Sequence, residues 1–323
     1  MVHSFVFADG KLAERDMDLS TIPMLLKDDG VHVWVDMEDP TPAESKQVLE
    51  GIFQFHPLAI EDCVAVSQLP KVEEYEEYLF VVIHAVDFDR KDEHFRTAEL
   101  NLFLGRNYLV TWHKEPLKSI RVTLDRCTKA PHTARGCDRV AYSILDALVD
   151  NYMPVLHEFG NDVNDLESRV LEGGMRPRTM SQVVRLKKEV LHLCQVIRPQ
   201  MEVLTRFAQG EFKIVRAQLV PYYRDICDHL TRYNEMAETF RDSLNGTIQL
   251  YLSMSSNHTS EVVKVLTLFT VITTPILIVG TWYGMNFEIM PEIHTKWGYA
   301  GAVILTILST LGCVIYFKRR GWM

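Results

Sequence analysis

The chain has 323 residues, is 47% hydrophobic and 24% charged, and carries a formal net charge of -9. Residues 1–260 hold 29 basic against 40 acidic side chains, whereas residues 261–323 hold five against three, so an acidic body is joined to a short, very apolar end. An acidic body repels phosphate, which excludes a nucleic-acid binder, and six scattered cysteines without paired or zinc-ligand spacing exclude a disulfide-stapled secreted domain and a zinc module.

The opening residues include Asp9, Glu14, Asp16 and Asp18 and have no basic stretch followed by an apolar one, so no export leader or transit peptide is expected. Val31 to Asp36 alternates as a strand does. Thr41-Pro42-Ala43-Glu44 is a capping box with proline at the first helical position, opening a helix through Val48, Leu49, Ile52 and Phe53. The run from Glu73 to Tyr78 reads first as a solvated acidic face, with attraction of divalent ions as the alternative. Tyr78 to Phe88 is rich in β-formers, and Leu100 to Leu104, the turn Gly105-Arg106-Asn107 and Tyr108 to Trp112 predict a hairpin. Residues 1–137 are therefore an α/β domain, a mixed sheet with flanking helices whose strand order the pattern leaves open.

Residues 138–260 read as long helices. Apolar periodicity predicts one helix from Arg139 to Leu171, a break at Gly173-Gly174 and Pro177, and a second from Thr179 to Gln209 that Pro199 bends. From Pro221 the helical pattern runs to Gly284, about 96 Å if continuous. One chain cannot half-bury so long a helix, which predicts partners of the same kind.

Two membrane spans close the chain. Val265 to Phe287 contains no charge over 23 residues and Trp297 to Phe317 none over 21, against roughly 20 needed to cross the bilayer. The first span is assigned to 261–287, the loop to 288–296, the second span to 297–317 and the basic tail to 318–323. Trp282, Tyr283, Trp297 and Tyr299 suit interfacial belts. Lys318-Arg319-Arg320 directly after the second span places both termini in the cytoplasm.

Phosphate-binding loops, dinucleotide fingerprints, zinc-protease helices and nucleophile elbows are absent from the sequence, which argues against an enzyme and leaves no nucleotide or organic cofactor to expect. The twelve histidines are scattered, and His192 lies in an apolar helical stretch where packing is the simpler role. The distinctive segment is Tyr283-Gly284-Met285-Asn286-Phe287, followed by Met290-Pro291-Glu292, the second span and the basic tail. In that position it resembles the signature of the CorA-type divalent-cation transport family. His56 to Asp62, Pro70 to Glu73, Leu145 to Asp150 and Glu238 to Asp242 resemble family segments in family order.

The residues themselves suit Mg²⁺. This ion holds its octahedral water shell tightly, so a ring of neutral amides can hydrogen-bond the intact shell instead of stripping it. Asn286 supplies the amide, although it could equally cap the helix. Gly284 allows close backbone approach, while Gly280 and Gly284 also form a small-xxx-small pair able to pack helices. Thr267, Thr270, Thr274 and Thr281, with Leu277, fall near one helical face, which either bonds its own backbone or lines a pore that Val263 and Leu266 narrow at the inner end. Glu288 and Glu292 could form acidic rings that gather cations.

The resemblance implies an α/β cytosolic domain, a long-helix stalk continuing into a two-helix transmembrane hairpin, and a funnel-shaped homopentamer in the cell inner membrane. It implies Mg²⁺, with Co²⁺ or Ni²⁺ as further cargo, both as transported ion and as regulator. An acid after the His-Pro-Leu segment of one subunit, Asp62 with Glu61 beside it, would face Asp225 of its neighbour across a bound ion. The sequence departs from the family where relatives often carry asparagine and methionine, here Ser260 and Val263, and Gln249 occupies a position that can carry an acid. A proton-coupled Zn²⁺ transporter and a non-conducting membrane sensor of divalent ions remain alternatives.

Overall fold

The computed structural model describes residues 1–323 apart from 29, 66–68, 90–93, 130–133, 173–176, 287–294 and 323. Its residues fall into two compact units, Met1–Thr247 and Ile248–Met323.

The first unit begins with strands β1 (Val2–Ala8) and β2 (Lys11–Arg15), the short helix α1 (Ile22–Leu25) and β3 (Val31–Glu38). Helix α2 (Pro42–Ser45) passes into a π-helical segment, Lys46–Ile52, and is followed by α3 (Pro57–Val64). Strands β4 (Lys71–Glu74), β5 (Tyr78–Asp89), β6 (His94–Gly105) and β7 (Tyr108–His113) complete the sheet. The capping box forms as expected: Thr41 Oγ1 accepts from the Glu44 N–H at 3.3 Å, and Glu44 Oε2 accepts from the Thr41 N–H at 2.7 Å. The expected hairpin also forms, with Leu104 opposite Leu109 and Asn101 opposite Trp112.

The seven strands lie in the order β2-β1-β3-β7-β6-β5-β4, antiparallel except for the parallel pair β3–β7. That pair is central, and Val33 to Met37 are buried on both faces. Val33, Val35 and Met37 join the core beneath α1 to α3 with Val48, Leu49 and Phe103. The opposite face receives α4 (Lys118–Lys129) and α5 (Cys137–Asp150), of which α5 packs against β3, β5, β6 and β7. Ten of its fourteen residues are buried, and Arg139, Asp146 and Asp150 lie along the less buried stripe.

The opposite face also holds a buried polar chain. Trp34 Nε1 donates to Thr111 Oγ1 at 3.0 Å, and Thr111 Oγ1 donates to Asp36 Oδ1 at 2.5 Å. His113, fully buried, points Nε2 at Asp36 Oδ1 (3.1 Å) and Nδ1 at the Glu115 carbonyl (2.7 Å). Both ring nitrogens meet acceptors, which the doubly protonated ring satisfies. Burial alone would lower the His113 pKa, but the hydrogen bond and charge of Asp36, aided by the Glu115 carbonyl and Glu38, raise it above the ordinary histidine value. The stability from this pair is fully present below the unfolded histidine pKa, about 6.5, and is lost as pH rises through the higher folded value. Thermal unfolding of the first unit in the full-length protein is expected to show a melting temperature that falls as pH rises above about 6.5. His113→Gln flattens that pH dependence, and an unchanged slope in the variant contradicts the assignment.

One expectation fails in the helical part. The single helix predicted from Arg139 to Leu171 is two, α5 and α6 (Tyr152–Leu171), parted at Asn151. The cause is Pro154, which has no N–H to bond the Asp150 carbonyl and whose ring crowds it. Helix α6 buries Val155, Phe159, Val163, Leu166 and Val170 at three- and four-residue spacing and packs against α7 (Pro177–Ala208). Helix α7 is continuous through Pro199. His192 lies on it, exposed, with its ring 5.1 Å from that of Phe95.

Helix α8 (Val220–Tyr283) runs 64 residues, as the unbroken pattern predicts. Its start is fixed by Arg216, whose Nε and Nη2 donate to the buried Asp138 carboxylate of α5 at 2.7 and 2.5 Å. The buried positions Tyr223, Ile226, Leu230, Tyr233 and Ala237 follow one narrow stripe of alternating three and four residues.

The second unit contains the remainder of α8 and α9 (Gly298–Arg319), two helices long and apolar enough to cross a membrane. Val265, Leu266, Phe269, Ile278, Ile304 and Leu308 are exposed in the single chain, as side chains facing lipid or another subunit are. The second helix extends beyond the predicted 297–317 because Lys318 and Arg319 complement the carbonyl end of its last turn.

Candidate ion pathway and metal-sensing acids

The first group of site residues is set by the end of α8. The span predicted to reach Phe287 leaves helical geometry after Tyr283. The Gly284 N–H still bonds the Gly280 carbonyl at 3.0 Å, but the Met285 N–H turns back to the Trp282 carbonyl at 3.4 Å, a tightening of the last turn. A Cβ on Gly284 would stand 2.9 Å from the Gly280 oxygen, so the turn demands glycine for its backbone. Gly280 has open space around the position of a Cβ and is the better candidate for close helix packing. Met285 and Asn286 lie beyond the helix and are exposed. Phe287, Glu288, Met290, Pro291 and Glu292 lie outside the described residues.

Along the span, each threonine of the stripe bonds its own helix. Thr267, Thr270, Thr274 and Thr281 donate to the carbonyls of Val263, Leu266, Thr270 and Leu277 at 2.7–2.9 Å. This satisfies the hydroxyl proton and leaves an oxygen lone pair and a methyl group outward, so the face can accept hydrogen bonds from hydrated cations but offers no charge. Val263, Leu266 and Leu277 are exposed in the single chain. Ser260, Val263 and Thr267 share the wall of a cavity with residues after α9.

The second group is carried by α3. His56 Nδ1 accepts from the Leu58 N–H at 3.3 Å, Pro57 occupies the first turn, and the Tyr78 hydroxyl accepts from the His56 N–H at 2.9 Å. This fixed start presents Asp62 on the second turn, with Glu61 exposed beside it. Asp62 is not free: Lys71 Nζ lies 2.5 Å from its Oδ2 and 2.7 Å from Glu73 Oε1, while the Tyr75 hydroxyl donates to Glu73 Oε2 at 3.0 Å. Burial alone would lower the Lys71 pKa, but hydrogen bonds and charge from Asp62 and Glu73 raise it above the ordinary lysine value. The acidic run from Glu73 to Tyr78 is thus partly structural, with Tyr75 stacked 4.8 Å from Tyr78.

Asp225 lies exposed on the second turn of α8, in the electrostatic field of Asp150 and Tyr142 of α5. Asp146 sits in the same group, receiving Arg126 Nη1 at 2.9 Å and the Tyr142 hydroxyl at 3.3 Å. Burial and then the charge of Asp146 push the Asp150 carboxyl above its usual range, with Asp225 adding to the effect. The sequence reading singled out Asp225 and missed Asp146. The available signal was the spacing of Asp146 and Asp150, one helical turn apart. Among the described residues no hydrogen bond joins Asp62 to Asp225, and no group of three or more histidine, cysteine, aspartate or glutamate side chains is set to hold a metal within one chain.

Residues 29–319 match the family described as CorA-like Mg²⁺ transporter protein. The chain is 32% identical over 304 residues to the cobalt/magnesium transport protein CorA of Thermotoga maritima, covering 92% of this chain and 85% of that one. The complete structure of the CorA magnesium transporter from Methanocaldococcus jannaschii has the same fold, with a TM-score of 0.79 at 23% identity over 90% of this chain and 92% of that one. The cytoplasmic domain of ZntB from Vibrio parahaemolyticus also has a similar fold, with a TM-score of 0.59 at 13% identity over 70% of this chain and 88% of that domain.

Proposed function

Since the chain belongs to the family of CorA-like Mg²⁺ transporter proteins, a family of divalent-cation transporters, we propose that it is a channel-like importer of Mg²⁺, able to pass Co²⁺ or Ni²⁺, driven by membrane potential and closed by cytosolic Mg²⁺. The observation that carries the reading is the exposed Gly284-Met285-Asn286 turn, placed where an uncharged, threonine-bearing membrane helix ends. Five copies around an axis would form a ring of Asn286 amides, each able to hydrogen-bond the water shell of an ion that dehydrates reluctantly. Below the ring, the faces of Thr281, Leu277, Thr274, Thr270 and Thr267 would line the passage, with Leu266, Val263 and Ser260 at the inner constriction. Glu288 and Glu292 would concentrate cations at the outer mouth.

The driving force needs no fuel. An inside-negative potential of 100 mV is worth about 2.3 kcal/mol per charge, hence about 4.6 kcal/mol for a divalent ion, enough for roughly a thousandfold accumulation. The chain acts as a homopentamer in the cell inner membrane with both termini cytoplasmic, and it uses neither nucleotide nor organic cofactor. Liposomes holding the purified protein, given a potassium diffusion potential and no pH gradient, are expected to take up Mg²⁺. Uptake of Zn²⁺ alone, and only with a proton gradient, would replace this reading with that of a zinc cotransporter. Ion binding without any flux would reduce the protein to a sensor.

Regulation follows from the acids. Asp62 and Glu61 of one subunit facing Asp225 of the next, with Asp146 and Asp150 beside it, repel one another when empty and are bridged by a divalent ion. Lys71 competes with that ion for Asp62. Lys71→Gln is expected to lower the cytosolic Mg²⁺ concentration for half-closure by about two- to fivefold, the size of a partly exposed ion pair. A rise in that concentration would show that the lysine supports the closed state instead.

A further inference from the structure

A cavity of about 1070 Å³ opens at the end of the sheet where β3 begins and β6 turns into β7. Its charged lining comes from separate segments. Glu74, Glu76 and Glu77 belong to the turn from β4 to β5, Arg135 to the loop before α5, and Lys213 and Arg216 to the connector between α7 and α8. Arg106 of the turn from β6 to β7 also lines it. Arg216 is already held by Asp138. Glu74, Glu76, Glu77, Arg135 and Lys213 are exposed, and among the described residues their side chains make no hydrogen bond or ion pair.

Neither sign of charge alone selects the occupant. A free oxyanion drawn to Arg135 and Lys213 meets three carboxylates, and a bare cation drawn to the carboxylates meets the basic side chains. Nor are those carboxylates gathered closely enough to hold a metal by themselves. Proteins hold Mg²⁺ through one or two carboxylates plus phosphate oxygens, with water filling the rest of its octahedron. A polyphosphate carrying Mg²⁺ presents both signs at once, the metal to the glutamates and phosphate oxygens to the arginine and lysine. Size agrees. Mg²⁺ with six waters at about 30 Å³ each fills about a sixth of the space, which leaves room for a chain of phosphates.

We propose that this cavity binds a complex of Mg²⁺ with a polyphosphate, Glu76 and Glu77 facing the metal and Arg135 and Lys213 the phosphate oxygens. What is recognised is the phosphate chain, whether inorganic or the triphosphate of a nucleotide. The ligand is a bound signal and supplies no energy. Neither Asp62 nor Asp225 lines the cavity. Lys213 and Arg216 precede α8, so the occupant sits at the root of the helix that continues into the first span.

The test titrates the full-length protein calorimetrically with inorganic triphosphate and, separately, with adenosine triphosphate, each with Mg²⁺ equal in cell and syringe or with Mg²⁺ removed by a chelator. The wild type is expected to bind triphosphate at least about tenfold more tightly with Mg²⁺ than without. Arg135→Gln/Lys213→Gln is expected to weaken binding of the complex at least about tenfold. Lys114→Gln/Lys188→Gln, an equal loss of charge outside the cavity, leaves it within about twofold. Glu76→Gln/Glu77→Gln is expected to abolish the Mg²⁺ preference while free triphosphate still binds, a result that misfolding could not give. The preference persists in Asp62→Ala/Asp225→Ala, which separates it from the ion proposed to close the channel. Equal affinity for the two ligands assigns recognition to the phosphate chain alone, and tighter adenosine triphosphate identifies a nucleotide as its source. Equal weakening in the two cation pairs would assign binding to diffuse charge and overturn the proposal. Tighter binding without Mg²⁺, or loss of the preference in Asp62→Ala/Asp225→Ala, would overturn it as well.

Discussion

Replacing Asn286 with alanine is expected to reduce Mg²⁺ flux by at least about a hundredfold while leaving assembly intact. A hydrogen bond to a charged group is worth about 1.5–3 kcal/mol, and a ring of amides removes several at once from the hydrated ion. Asn286 lies beyond the last helical turn and is exposed, so its loss removes no helix hydrogen bond and no packing. Asn286→Gln keeps the amide but displaces it by a methylene and is expected to retain a small fraction of the flux. Asn286→Asp keeps the shape and adds negative charge, which holds the ion longer and favours softer divalent ions at the expense of Mg²⁺. Wild-type flux in Asn286→Ala, measured on protein of unchanged oligomeric size, would remove the amide ring from the mechanism.

Loss of the regulatory acids has the second large effect. Asp62→Ala/Asp225→Ala channels are expected to stay open at cytosolic Mg²⁺ concentrations at least about tenfold above those that close the wild type, since both carboxylates that an ion would bridge are gone. The structure adds a distinction between the two single changes. Asp62 shares Lys71 with Glu73, so Asp62→Ala leaves the lysine paired and alters little else in the α/β domain. Asp225 stands in the field of Asp150, so Asp225→Ala also lets the raised Asp150 pKa fall and favours the ionised form of that neighbouring carboxylate. Asp150 then supplies part of the lost charge, and Asp225→Ala is expected to shift closure less than Asp62→Ala does. Normal shut-off in the double variant would mean that these are ordinary surface acids.

Local chemistry made much of this readable in advance. The capping box at Thr41 and Glu44, the hairpin turn at Gly105 to Asn107 and the two uncharged spans each depend on neighbouring residues, and each appears in the structure. The strand order is set by pairing over long sequence distances: β3 lies parallel to β7, joining Trp34 to Thr111, and periodicity carries no record of such a pairing. Pro154 stood in the sequence as a break signal, and reading the apolar spacing from Arg139 to Leu171 as one helix passed over it. The Lys71 clamp on Asp62 joins a strand to a helix, and neither segment alone reveals it. The cavity lined by Glu76, Arg135 and Lys213 draws on three segments far apart in the chain, and no local pattern announces it.

The mouth at Asn286 and the absence of a coupled fuel are both interrogated by reversal potential. Currents through the reconstituted protein, with Mg²⁺ as the only permeant ion and equal pH on both sides, are expected to reverse at a voltage that moves about 30 mV for each tenfold change in the Mg²⁺ gradient, as for a process carrying two charges. A superimposed pH gradient is expected to leave that voltage unchanged. A reversal potential that follows the pH gradient, or flux without current, would contradict an electrogenic Mg²⁺ pathway.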